Sequence, residues 1–125
     1  MKLEDSVIVT VKTEYLDEQS LPEDDRYVFA YHINIRNVGD QAATLRTRHW
    51  FIANGNADVQ EVKGEGVIGE QPTIEPGETY RYSSGSVLST RVGSMRGYYV
   101  MEADDGTLFH ATIPVFTLSL PNALN

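Results

Sequence analysis

The chain has no cysteine among its 125 residues, and that absence removes three chemistries at once. There can be no disulfide framework, no thiolate metal centre and no cysteine nucleophile. Bases are also scarce, ten Lys and Arg against 18 Asp and Glu, for a formal net charge of −8. Nucleic-acid binding rests on cations that neutralise phosphates, so no nucleic-acid partner is expected. No apolar run approaches the ~18 residues that a membrane helix needs, so membrane insertion is not expected either. The start Met1-Lys2-Leu3-Glu4-Asp5 carries acids where a secretory signal carries bases and then an apolar stretch, and the expected compartment is the cytoplasm. Helical periodicity is missing throughout. A nucleophile elbow is missing too, since Ser83-Ser84-Gly85-Ser86 lacks that arrangement, and no catalytic residue is assigned.

What remains is the composition of a soluble globular protein, 41% hydrophobic and 22% charged. Its length suits one domain over residues 1–125 with a core from about 5 to 120, and is too short for two. Eight of the acids fall in the first 25 residues: Glu4, Asp5, Glu14, Asp17, Glu18, Glu23, Asp24 and Asp25. They serve solubility, or they make an acidic surface for a basic partner or a divalent cation.

Strand signals dominate. Val7, Val9 and Val11 alternate with Thr10, Lys12 and Glu14, and Tyr27, Phe29, Tyr31, Ile33 and Ile35 alternate with polar or small residues. Further strands are predicted over about Ala43 to Ala53, Val59 to Gly66, Thr79 to Ser83, Met95 to Glu102 and Leu108 to Leu118. Turn residues separate them, at Asn37-Val38-Gly39-Asp40, Asn54-Gly55-Asn56, Pro76-Gly77 and Asp104-Asp105-Gly106. Pro114 interrupts the last strand and shifts its apolar phase, which predicts an edge position or a bulge. Asp17 to Asp25 reads as a loop, and the tail Leu120 to Asn125 as a frayed end. The sum is an all-β, antiparallel β-sandwich of the fibronectin-III or immunoglobulin-like class, with Trp50 as its natural core plug.

One stretch sets a trap. Gly64-x-Gly66-x-x-Gly69 matches the dinucleotide fingerprint, yet it runs into Gln71-Pro72 and Pro76-Gly77 and cannot open a helix. Three readings stay open for it: a phosphate cradle of backbone amides with Lys63 nearby, opposed by Glu65 and Glu70; a structural loop using glycine's conformational freedom; and a loop that docks a partner. Elsewhere, His32, His49 and His110 have no ligand spacing, so no metal set is assigned. Arg46 and Arg48 share the parity of Trp50, either gripping a phosphate or carboxylate, or pairing with local acids beside a buried indole. Tyr80, Tyr82, Tyr98 and Tyr99 form an aromatic set whose exposure is open.

The chain resembles the ApaG family from near residue 5 to near residue 120. Carrying the match are Arg26-Tyr27-Val28-Phe29-Ala30-Tyr31, Arg48-His49-Trp50 and the segment Gly64-Glu65-Gly66-Val67-Ile68-Gly69-Glu70-Gln71-Pro72. Pro76-Gly77-Glu78, Tyr82-Ser83-Ser84-Gly85, Met95-Arg96-Gly97-Tyr98-Tyr99, Asp105-Gly106 and Ile113-Pro114-Val115-Phe116 extend it. The resemblance implies a fibronectin-III-like sandwich, an association with cobalt tolerance and magnesium efflux, and use of the domain as an interaction module in larger eukaryotic proteins. It carries no catalytic residues. The expected function is a non-enzymatic protein-interaction module with an unidentified protein partner, no cofactor, and a monomer or weak homodimer as its own state. The expected surface is Arg48, His49, Trp50, Lys63, Gly64, Glu65, Gly66, Gly69, Glu70 and Gln71. Alternatives are a factor linked to divalent-cation homeostasis and a nucleotide or pyrophosphate site at the glycine segment.

Overall fold

Period-2 alternation organises nearly the whole chain. In the computed structural model, which describes residues 1–121, eight strands follow one another: β1 (Val7–Tyr15), β2 (Tyr27–Asn37), β3 (Ala43–Asn54), β4 (Val59–Glu65), β5 (Thr73–Ile74), β6 (Thr79–Leu88), β7 (Val92–Ala103) and β8 (Leu108–Ser119). The acidic loop after β1 is tightened into two single 3₁₀ turns, Asp17–Gln19 and Pro22–Asp24. The predicted fraying of the tail lies outside the described residues for positions 122–125. Leu120 itself is tied down, its N–H donating to the Arg91 carbonyl at 3.2 Å.

The strands form two antiparallel sheets, β1-β2-β6 and β4-β3-β7-β8, with the short β5 paired to the start of β3. This is the expected fibronectin-III-like sandwich. The inward residues of β2, including Phe29, Ile33 and Ile35, meet Leu45 and Trp50 of β3, Tyr99 and Met101 of β7, and Ile113 and Leu118 of β8 in one core. Trp50 is 2% exposed, with the rings of Tyr31, Phe116 and Tyr99 centred 5.4, 5.9 and 6.3 Å away. Truncating a side chain so placed typically costs about 3–5 kcal/mol.

Two bulges break the alternation. The β7–β8 register shifts between Met95 and Gly97, opposite Pro114, as the proline predicted. The β3–β7 register shifts between Leu45 and Thr47, which no residue type announced. Buried Asn37 stitches the far end of β2 to its surroundings. Its Nδ2 donates to the carbonyls of Gln41 (2.9 Å) and Ile74 (2.8 Å), and its Oδ1 accepts from the Gly39 amide (2.9 Å). The chain leaving the glycine segment is thereby held against the core at Ile74.

Candidate functional site

The glycine segment folds as a hairpin tip. The Val67 amide donates to the Glu70 carbonyl at 2.8 Å, and the Glu70 amide donates back at 2.9 Å. Between them Ile68 and Gly69 both sit at positive φ, +44° and +80°, as in a two-residue type I′ turn. Val67, 1% exposed, drops into the core while Ile68, 59% exposed, stands at the tip. Gly66 (φ +61°) packs so closely that a Cβ there would lie 2.1 Å from the Glu70 carbonyl oxygen. Its amide donates to the Arg46 carbonyl at 2.9 Å. Three amides that a phosphate cradle would need, those of Gly66, Val67 and Glu70, are thus already engaged. Gln71 and Glu70 are engaged as well. Gln71 Nε2 donates to the Arg46 carbonyl (2.9 Å), and a Glu70 carboxylate oxygen accepts from Tyr80 Oη (2.8 Å). Burial, and then that carboxylate, push the Tyr80 phenol up from its ordinary value.

Arg48 straps this segment to β3. Its Nη1 donates to the carbonyls of Glu65 and Gly66, both at 3.0 Å, and its guanidinium lies over Gly64, where a Cβ would come within 2.7 Å. The equal parity of Arg46 and Arg48 misleads, because Arg46 is the extra residue of the bulge between Leu45 and Thr47. Arg46 turns to Glu102, Nε to Oε1 at 3.2 Å. Trp50, expected in the partner surface, is corrected by its burial between the sheets and offers no surface.

His49 points the other way, to the outer face of the five-stranded sheet. Its Nε2 lies 2.8 Å from Glu61 Oε2 and its Nδ1 2.7 Å from Tyr98 Oη. An ionised carboxylate only accepts, so Nε2 carries the proton, and in the neutral ring Nδ1 accepts from Tyr98. The hydrogen bond from His49 holds the Glu61 carboxyl below the usual carboxylate range. Rings continue in both directions. Arg96 caps Phe51 (4.6 Å), Phe51 stacks on His49 (4.7 Å), and Tyr98 stacks on His110 (4.2 Å). A shallow groove of about 340 Å³ beside this row is lined by Arg48, His49, Lys63, Gly64, Glu65 and Tyr98, among others. Five of the expected surface residues therefore do come together, and Gly66, Gly69, Glu70 and Gln71 follow directly in the hairpin.

The three histidines do not converge. His32 lies on the outer face of the other sheet, its Nδ1 2.6 Å from Ser83 Oγ and its Nε2 3.3 Å from Glu14. The bonding order is that of a serine–histidine–carboxylate chain, but all three groups are exposed on an open strand face. Among the described residues no three His, Asp or Glu side chains are grouped to hold a metal ion. No helix of the described residues is long and apolar enough to cross a membrane.

The tyrosine set divides. Tyr82 and Tyr99 are buried and joined hydroxyl to hydroxyl at 2.5 Å. Burial pushes both phenols well above their ordinary range. Sequence reasoning missed Ile68, Phe51 and Glu61. The strained turn was the findable one, since an X-Gly pair between two extended stretches is a hairpin signal.

The chain matches the family model described as the ApaG domain over residues 17–103. It is 57% identical to Protein ApaG of Azoarcus sp. (strain BH72) over 117 residues, covering 94% of this chain and 92% of that one. Protein ApaG of Pseudomonas putida (strain W619) is 56% identical, with 94% and 93% covered. Among solved structures, the putative ApaA protein from Bordetella pertussis superimposes with a TM-score of 0.91 at 44% identity, covering 94% of this chain and 95% of that one. The chain belongs to the ApaG domain family.

Proposed function

We propose that this protein is a non-enzymatic, cytoplasmic interaction module that docks a protein partner through the hairpin tip, with Ile68 as the central contact. One observation carries the reading. Ile68 is β-branched, 59% exposed, and held at φ +44°. A β-branched side chain in that region is a genuine outlier, and the first position of such a turn favours Asn, Asp or Gly. Local stability is given up for an apolar group aimed at solvent, and such departures from local rules concentrate at functional sites. Glu65 on one flank and the exposed Lys63 beyond it supply a polar rim, and Val67 roots the tip in the core. A rigid apolar knob within a polar rim is how protein interfaces concentrate their binding energy.

Ile68→Asn separates this reading from a purely structural one. Relief of the backbone is worth about 1 kcal/mol, so the melting temperature should rise by about 4 °C. Partners retained by the tagged wild-type protein in quantitative affinity capture should be lost. A variant that is more stable and still retains the same partners overturns the reading.

A further inference from the structure

The sandwich has four sheet edges, and three of them are guarded. Pro114 and its bulge interrupt β8. Charged Glu61, Lys63 and Glu65 line β4, and β1 carries Lys12 and Glu14 while its start lies along β8, Val7, Thr112 and Pro114 lining one groove. Prolines, bulges and charges are the usual means of blocking strand addition. β6 has none of them from Tyr82 to Leu88, a stretch reading Tyr-Ser-Ser-Gly-Ser-Val-Leu.

Its free main-chain groups can be assigned from the ladder. The Asn37 amide donates to the Glu78 carbonyl (3.0 Å) in the register that pairs Ile35 with Tyr80 and Ile33 with Tyr82. Bonded pairs in an antiparallel ladder recur every second residue. Tyr80, Tyr82, Ser84 and Ser86 therefore bond to β2, and the N–H and C=O groups of Arg81, Ser83, Gly85 and Val87 face away. Among the described residues no turn or loop caps them. Beside the end of β6, in the gap toward β4, lies a groove of about 310 Å³ whose lining includes Ile52, Asp58, Val59 and Val87. Val59 and Val87 are 58% and 49% exposed. In immunoglobulin constant domains, whose strands A, B and E correspond to β1, β2 and β6, a fourth strand, D, occupies this edge. Here that place is vacant.

We propose that the free edge of β6 is a strand-addition site for an extended peptide segment of net positive charge with apolar side chains at alternate positions. Main-chain bonds to Ser83, Gly85 and Val87 supply affinity, and side chains of one parity fill the gap beside Val59. Asp58 and the net charge of −8 select the basic sequence and disfavour a second copy of this chain.

The test is amide hydrogen exchange on the full chain with a capped, synthetic alternating Val–Lys peptide of roughly ten residues. At saturating peptide the amides of Ser83, Gly85 and Val87 should slow about tenfold or more, and those of Glu61 and Lys63 on the β4 edge should not. Gly85→Pro removes an outward N–H without touching the β2 ladder and should weaken binding about tenfold. Val87→Lys, which repels the probe and keeps every main-chain group, should weaken it as well. An alternating Val–Glu peptide should bind at least about tenfold more weakly, and Ile68→Asn should leave Val–Lys binding unchanged. The proposal is overturned if the three amides do not slow, if slowing persists in both variants, if the acidic peptide binds equally, or if slowing appears without peptide and grows with protein concentration.

Discussion

Gly66 and Gly69 lie three residues apart, both at positive φ, and replacing each by Ala should have very different consequences. At Gly69 a Cβ meets nothing within 4 Å, so the cost is the positive φ alone, about 1 kcal/mol. At Gly66 the same backbone term applies, and the Cβ would also stand 2.1 Å from the Glu70 carbonyl oxygen and 2.9 Å from its carbon. Those are main-chain atoms that no rotamer can clear. The hairpin must shift, weakening the Val67-to-Glu70 bond (2.8 Å) and the Gly66-to-Arg46 bond (2.9 Å), each worth about 1 kcal/mol. The total is about 3 kcal/mol. For 125 residues the unfolding entropy is about 0.26 kcal/mol per kelvin. Calorimetry should therefore show a melting temperature lower by about 11 °C for Gly66→Ala and about 4 °C for Gly69→Ala. Equal losses would refute the packing argument. So would a Gly66→Ala melt within about 3 °C of wild type, since that can arise only if the tip is loose.

Arg48→Glu should destabilise by about 2–3 kcal/mol, because it strips the strap from two carbonyls and sets a carboxylate against them. Chemical denaturation reads this, and a stable variant that merely loses partners would return Arg48 to the docking surface. Tyr82→Phe and Tyr99→Phe should each cost about 1–3 kcal/mol by leaving the other hydroxyl unpartnered. The double variant should cost less than their sum, and strict additivity would contradict the pairing. Both phenols have folded pKa values raised by burial, so the stability they carry is complete below the unfolded value and lost as pH rises through the folded one. In an alkaline titration the phenolate absorbance missing from the double variant should therefore develop with unfolding. Its appearance in the folded protein would show the pair to be accessible.

The strands with a clean apolar face, β1 and β2, were legible in the sequence almost to the residue, because one buried face fixes the period. β6 was read only as far as Ser83, since Ser-Ser-Gly-Ser carries little strand propensity and its ladder depends on β2 beside it. β5, two residues long, is created by pairing alone. The bulge at Leu45 to Thr47 has no sequence mark, and it sends Arg46 and Arg48 to opposite sides of β3. The fingerprint-like glycines open no helix, and the prolines that follow them made that legible. Their conformational roles were open until the closeness of Gly66 to Glu70 and the strain at Ile68 appeared, and both depend on how the hairpin closes.

The chain has one tryptophan, and its surroundings give the protein an optical property of its own. Trp50 lies among Tyr31, Tyr99 and Phe116 at ring-contact distances, spanning both sheets. Ultraviolet energy absorbed by the neighbouring phenols passes to the indole most efficiently while β2, β3 and β7 hold those rings together. Emission colour then reports whether water has reached the core, and transfer efficiency reports whether the two sheets are still packed together. One unlabelled sample thus yields two independent signals, and a lag between them during refolding would distinguish collapse of the core from the locking of its partners.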